Sequence, residues 1–70
     1  MKMRILAIRC AELAPDGSEE QQLFRLAENH YEAGENCQGP YLYQAKKSNY
    51  GKARRAFIKA YALRKIRGLD

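Results

Sequence analysis

The segment from Ser18 to about Ala33 constrains the fold most, because it carries the signals of a complete amphipathic helix. Pro15-Asp16-Gly17 predicts a turn before it, and Ser18 followed by Gln21 predicts a capping box at its first turn. Gly34 is expected to end the helix. On a helical wheel the apolar residues form one continuous arc, made of Leu23, Phe24, Leu26, Ala27, His30, Tyr31 and Ala33. Such an arc predicts a helix with one face packed against the rest of the chain.

A second helix is predicted from about Tyr50 to Arg67, with Gly68 just beyond its end and Leu69 placed to contact Leu63. Its core stripe has spacings of three and four and consists of Ala53, Ala56, Phe57, Ala60 and Leu63. The opposite side carries a second apolar strip, formed by Ile58, Ala62 and Ile66. A helix that packs on one face only does not need this strip. Ile58, Tyr61 and Ile66 are therefore predicted contacts for a partner.

Within this segment, Tyr50 to Ala60 resembles the second helix of a tetratricopeptide unit, which has an Ala-x3-Phe/Tyr-x2-Ala pattern. The loop before it is about thirteen residues too long for the 34-residue period of that family. The chain also holds one such unit, whereas about three are needed to form a stable stack. We therefore do not assign the chain to this family.

The two remaining segments decide the fold class. Met3–Arg9 is mostly apolar and is expected to be a short strand, although a helix with Met3, Leu6, Cys10 and Leu13 on one stripe is the alternative. Tyr41–Ala45 follows Gly39-Pro40 and is also expected to be a strand. These assignments predict one small α+β domain with the order β-α-β-α, and a three-helix bundle is the alternative. Because two strands are marginal alone, the α+β fold also allows a homodimer joined at a sheet edge.

The charge of the 70-residue chain is unevenly distributed. Residues 1–45 hold four cations and seven carboxylates, a net charge of −3, whereas residues 46–70 hold nine cations and one carboxylate, a net charge of +8. An asymmetry of this size points to a binding partner, either nucleic acid or an acidic protein surface.

The predicted anion-binding residues surround the expected start of the second helix, and they are Lys46, Lys47, Lys52, Arg54, Arg55 and Lys59. Cations in a first helical turn oppose the helix dipole, so an anion bound to the free N–H groups of residues 48–52 would compensate them. Aromatic residues that interleave with these cations are candidates for stacking on unpaired bases, namely Tyr41, Tyr43 and Tyr50.

Other chemistry has little support in the sequence. The sequence lacks the spacing of a metal site or of a Cys-His catalytic pair, since it has only two cysteines and one histidine, Cys10, Cys37 and His30. His30 is expected to lie inside a packed helix face. The sequence has no nucleotide-binding loop and no hydrolase motif. We therefore expect no enzyme activity, no catalytic residue, no metal, no cofactor and no small-molecule substrate. No apolar run is long enough for a membrane helix, and a cytoplasmic location is expected.

These observations lead to two functional hypotheses. The first is a small nucleic-acid-associated accessory protein that binds the phosphate backbone through its basic helix and the preceding loop. The alternative is a protein-interaction module, or an inhibitor of the size that phages make, which docks on a larger host protein or nucleoprotein complex.

Overall fold

The computed structural model describes residues 2–68, which form three helices: α1, Met3–Leu13; α2, Glu19–Glu35; and α3, Leu42–Ile66. No strand occurs within this range. The α+β prediction is therefore wrong, and the three-helix alternative is the fold. The sheet edge through which a homodimer was expected to form is absent from the described residues as well.

Residues Met3–Arg9 were expected to be a strand but form most of α1. Ala7, Cys10 and Ala11 are its buried residues, and their spacing of three and four is helical. The helical alternative placed Met3 and Leu13 on the buried stripe, but these residues are 42% and 69% exposed. The buried residues of α1 are therefore small, and Leu6 packs against the same core while remaining partly exposed.

Residues Tyr41–Ala45 were expected to be a second strand, but α3 begins at Leu42, eight residues before the predicted start. Gly39, at φ 107°, turns the chain, and its carbonyl accepts a hydrogen bond from the Leu42 N–H at 3.2 Å. The alternating apolar residues that favoured a strand have no buried face, since Tyr41 and Tyr43 are 72% and 79% exposed. Without a sheet to join, the backbone bonds to itself as a helix.

The predicted start of α2 is confirmed. The Ser18 hydroxyl accepts a hydrogen bond from the Gln21 N–H at 3.1 Å. The Gln21 side chain accepts from the Gly17 N–H at 3.0 Å and donates to the Ala11 carbonyl at 3.0 Å. This one amide therefore caps α2 and also holds the end of α1 against it.

The predicted end of α2 is wrong by two residues, because the helix continues through Gly34 to Glu35 and Asn36 caps it. Gly34 is buried against the ring of Tyr50, and a Cβ atom at this position would lie 2.5 Å from Tyr50 Cε1. The glycine is therefore required by close packing of α2 on α3 rather than by a turn.

The predicted end of α3 can be checked at Gly68. This residue has the positive φ expected of a residue that follows a helix, and Leu69 lies outside the described residues.

The three helices run up, down and up. Arg4 pairs with Glu35 and Glu20 with Arg67, so the start of α2 lies beside the end of α3 and the end of α2 beside the start of α1. The core between them is built mainly from alanines, and its buried members are Ala7, Cys10, Ala11, Ala14, Phe24, Ala27, Tyr31, Ala53, Ala56 and Ala60. Phe24 is the only large side chain that is fully buried in the described structure, and it meets Phe57 edge to face at 5.4 Å.

Helix α3 is about 37 Å long and α2 about 25 Å, at 1.5 Å per residue. Since α3 is the longer helix and is covered on one side only, most of its circumference remains available for binding.

Candidate nucleic-acid interface

Helix α3 contains eight cations and no carboxylate over its 25 residues. Its inward stripe consists of small residues, Ala53, Ala56 and Ala60, which pack on α1 and α2. The charged side chains are therefore distributed around the remaining surface of the helix. This distribution allows the six predicted anion-binding residues to be assigned to different sides of α3.

The anion site predicted at a helix N-terminus is not present. Because α3 begins at Leu42, Lys52, Arg54 and Arg55 lie in its third and fourth turns. The N–H groups of residues 48–52 lie beyond the first four of the helix and are bonded within it. The cations of α3 therefore cannot use the helix dipole as the sequence suggested, and any anion must be bound by side chains.

Lys46 has a structural role. Its ammonium donates a 2.8 Å hydrogen bond to the carbonyl of Gly34, in the last turn of α2, and lies 5.9 Å from the centre of the Tyr50 ring. A cation at the negative end of a helix dipole is stabilising, and the bond also satisfies a carbonyl that has no partner within the helix. We therefore remove Lys46 from the candidate phosphate contacts.

Three of the other cations share one side of α3 at spacings of three and four, and we refer to Lys52, Arg55 and Lys59 as the basic stripe. Together with Leu23, Leu26 and His30 of α2, they line a shallow depression of about 250 Å³. All three are exposed. Within residues 2–68 none of them pairs with a carboxylate, whereas Arg4, Arg25 and Arg67 each do. The basic stripe is therefore a positive surface with no internal compensation in the described structure.

Lys47 and Arg54 lie on a different side of α3. They are seven residues apart and share a helical face. Burial raises the pKa of the Tyr31 hydroxyl, and the positive charge of Arg54 opposes this rise. The predicted six-residue cluster is therefore divided into a structural lysine, a three-residue stripe and a separate pair.

The three tyrosines proposed as stacking platforms do not line the depression. Tyr41 and Tyr43 are exposed at the start of α3, more than two turns before Lys52. Tyr50 is 37% exposed, packs against Gly34 and lies 6.2 Å from the Tyr31 ring. None of the three is held beside the basic stripe.

Two residues at this surface were missed by the sequence analysis, which placed them in the packed arc of the first predicted helix. His30 is half-buried and Leu26 is 44% exposed, both at the edge of α2 that borders the basic stripe. Only the packing of α2 on α3 brings them to this surface, so no local signal in the sequence could have identified them.

Of the predicted partner contacts, Ile58 and Tyr61 lie on another side of α3, whereas Ile66 follows Lys59 by seven residues and shares its helical face. Ile58 and Ile66 are 56% and 82% exposed. Tyr61 is half-buried and stacks on Phe57 with ring centres 6.2 Å apart. The second apolar strip is thus on the outside of the bundle, as its spacing indicated.

The two cysteines are not paired with each other in the described structure. Cys10 is buried beside Phe24, and the Cys37 thiol donates to the Ala33 carbonyl at 3.0 Å. No group of three His, Cys, Asp or Glu residues in the described range is placed to hold a metal ion. Over the same residues, no helix combines the length and apolar character needed to cross a membrane.

Comparisons of the chain with protein-family models, with curated protein sequences and with solved structures find no match. The interpretation of the site therefore rests on its own residues and geometry.

Proposed function

We propose that this chain is a small nucleic-acid-associated protein that contacts the phosphate backbone through the basic stripe of α3. The observation that carries the proposal is the stripe itself, in which Lys52, Arg55 and Lys59 lie exposed on one side of the helix without a carboxylate partner in residues 2–68. The role proposed is binding without catalysis.

The length of the stripe supports phosphate contact. Lys52 and Lys59 are seven residues apart, which is about 10 Å along the helix axis. One strand of a duplex has a phosphate about every 3.4 Å along its axis, so the stripe spans about three phosphates. Recognition through phosphates is expected to be largely independent of sequence, because phosphate contacts position a protein on the strand without reading the bases.

Free thiols at Cys10 and Cys37 support a further part of the proposal, a location in the reducing cytoplasm.

Salt dependence tests the proposal directly. We would titrate fluorescein-labelled duplex and single-stranded oligonucleotides with the protein and follow fluorescence anisotropy at 50 and 200 mM salt. With about three phosphates neutralised on a duplex, affinity should fall roughly 40-fold over this range. Absence of binding at 50 mM salt, or binding that does not change with salt, would refute phosphate contact. The two oligonucleotides also show which form is preferred.

A charge-matched pair of variants tests the location of the site. Lys52→Glu with Lys59→Glu changes the net charge by −4 within the stripe. Lys2→Glu with Arg9→Glu makes the same change at exposed positions of the N-terminal segment. The first variant should lose most of the duplex affinity and most of the salt dependence, and the second should retain both. Equal losses would show that net charge alone drives binding. Circular dichroism at 222 nm confirms that both variants remain helical.

A further inference from the structure

A second surface of α3 has a different character from the basic stripe. Phe57, Ile58, Tyr61, Ala62 and Lys65 line a groove of about 370 Å³, which we refer to as the apolar groove. Ile58 is more than half exposed, although a buried position would favour such a side chain. We propose that the apolar groove is a docking site for an acidic amphipathic helix of a partner protein. This proposal does not depend on phosphate binding by the basic stripe.

The arrangement of the groove indicates a helical partner. Ile58, Tyr61, Ala62 and Lys65 stand at positions i, i+3, i+4 and i+7. Four residues with this spacing form the hole into which one side chain of a facing helix inserts when two helices pack. The small Ala62 side chain leaves space in this hole between three larger neighbours. An extended strand has no matching periodicity, because its side chains alternate between two faces.

The groove is already formed without a partner. The Tyr61 ring is stacked on Phe57 with an interplanar angle of 16°. The Arg64 guanidinium and the Lys65 ammonium lie 5.7 Å and 5.8 Å from the centre of the same ring. Since Phe57 packs against both clusters of the core, the wall of the groove is fixed by the fold. A partner would therefore lose little affinity to ordering this surface.

The charges around the groove indicate an acidic partner. Arg54 precedes Ile58 by one helical turn, and Lys65 follows Tyr61 by one turn, so a cation stands at each end. Because α3 contains no carboxylate, a helix docked here must supply the opposite charge itself. A helix with basic flanks would be repelled.

The same argument excludes a second copy of this chain as the occupant. Two α3 helices placed groove to groove would bring like charges together. Helix α2 is the most acidic element, but its one large exposed apolar side chain, Leu26, lies at the edge beside the basic stripe. Helix α1 has exposed apolar residues at Met3, Ile5 and Leu13, but it carries two cations and one carboxylate and is therefore not acidic. The occupant is therefore a different protein that combines apolar and acidic residues on one helix.

The test uses two designed peptides labelled with fluorescein, each three heptads long with Leu at positions a and d. One has Glu at positions e and g, and the other has Lys at the same positions, so that like charges keep each peptide from pairing with itself. We expect the Glu peptide to increase in anisotropy when titrated with the protein to 100 μM, and the Lys peptide to remain free. Failure of the Glu peptide to bind, or equal binding of the two peptides, would overturn the proposal.

Variants locate the peptide on the protein. Ile58→Ser with Ala62→Gln removes one wall of the hole and fills the rest with a polar side chain, and affinity for the Glu peptide should fall about tenfold or more. Leu13→Ser, at an exposed apolar position of α1, is the matched control and should bind as the wild type does. We refer to the Ile58→Ser, Ala62→Gln protein as the groove variant, and an unchanged affinity of this variant for the Glu peptide would overturn the proposal.

Two further outcomes separate the groove from the basic stripe. The Lys52→Glu, Lys59→Glu variant should keep its affinity for the Glu peptide, and an equal loss there would show that net charge holds the peptide. The groove variant should keep its affinity for duplex oligonucleotide. If it lost that affinity while still binding the peptide, the groove would belong to a nucleic-acid surface and the proposal would fail.

Discussion

The substitution Gly34→Ala tests the closest approach between α2 and α3. In an exposed helix interior, replacing glycine by alanine stabilises a protein by about 1 kcal/mol. At residue 34 a Cβ atom would lie 2.5 Å from Tyr50 Cε1 and 2.8 Å from Tyr50 Cδ1. Contacts this short are not sustained, so the tyrosine ring must move.

The cost of moving the ring follows from its contacts. Tyr50 lies 6.2 Å from the Tyr31 ring, an aromatic contact that contributes about 0.5–1.5 kcal/mol. Lys46 lies 5.9 Å from the Tyr50 ring centre, and a partly exposed contact of this kind contributes about 0.5–1 kcal/mol. Loss of both exceeds the gain in helix propensity. We expect Gly34→Ala to destabilise the protein by about 1 kcal/mol and to lower Tm by about 4–8 °C.

A double-mutant cycle with Tyr50→Ala separates the two effects. Once the ring is removed, Gly34→Ala should stabilise the protein by about 1 kcal/mol, so the sign of its effect reverses. Urea unfolding followed by circular dichroism at 222 nm gives the four free energies. If Gly34→Ala is stabilising in both backgrounds, α2 and α3 do not approach closely at this point and the reasoning is refuted.

Three other predictions concern the core and one ion pair. Phe24→Ala removes the one fully buried large side chain in the described structure, and its cost of about 3–5 kcal/mol should abolish cooperative urea unfolding. Ala60→Leu overfills the core and should lower the free energy of unfolding by about 1–3 kcal/mol. The same change at exposed Ala62 should alter that free energy by less than about 0.5 kcal/mol. Equal effects at the two positions would contradict the observed orientation of α3. The Arg67 guanidinium donates two hydrogen bonds to Glu20 and holds the pKa of that carboxyl below its ordinary value of 4.5. The pair therefore adds stability above the ordinary pKa, and this contribution is lost as the pH falls through the folded-state pKa. Below about pH 5 the urea midpoint of the wild type should fall more steeply than that of Glu20→Gln, and parallel profiles would contradict this assignment.

The position of α2 could be predicted because its signals are local. Ser18 and Gln21 cap the helix through atoms three residues apart, and the apolar arc follows within the next four turns. The end of the helix was misplaced because Gly34 has two possible roles, a stop or a close contact. The choice between them depends on Tyr50, which is sixteen residues away and on another helix.

The two strand predictions failed for a shared reason. Short apolar runs such as Met3–Arg9 satisfy both helical and extended patterns, and only the available neighbours decide between them. With two short candidates separated by a helix, a sheet would have been marginal in a chain of this size. Alanines at positions 7 and 11 allow α1 to pack on α2 instead, which satisfies the backbone within the helix.

The sequence could predict which segment carries the excess positive charge. It could not predict which residues of the other helices lie beside that segment in the folded chain. Counting cations after Ala45 points to α3 as the candidate binding element, and spacing alone places Lys52, Arg55 and Lys59 on one side. The contribution of His30 and Leu26 depends on how α2 packs beside α3. The structural role of Lys46 depends on the Gly34 carbonyl, which only the folded chain brings within 2.8 Å.

The distribution of side-chain size links this fold to its proposed binding roles. Alanines occupy most of the buried positions, and larger apolar residues such as Leu13, Ile58 and Ile66 remain outside. Each buried alanine removes little apolar surface from water, so the isolated bundle has a small margin of stability. A ligand that binds only the folded chain adds about 2.7 kcal/mol at one hundred times its Kd, which is comparable to that margin. If the exposed face of α3 binds as proposed, binding and folding are coupled, because the contacts that recognise a partner would also stabilise the helices that present them.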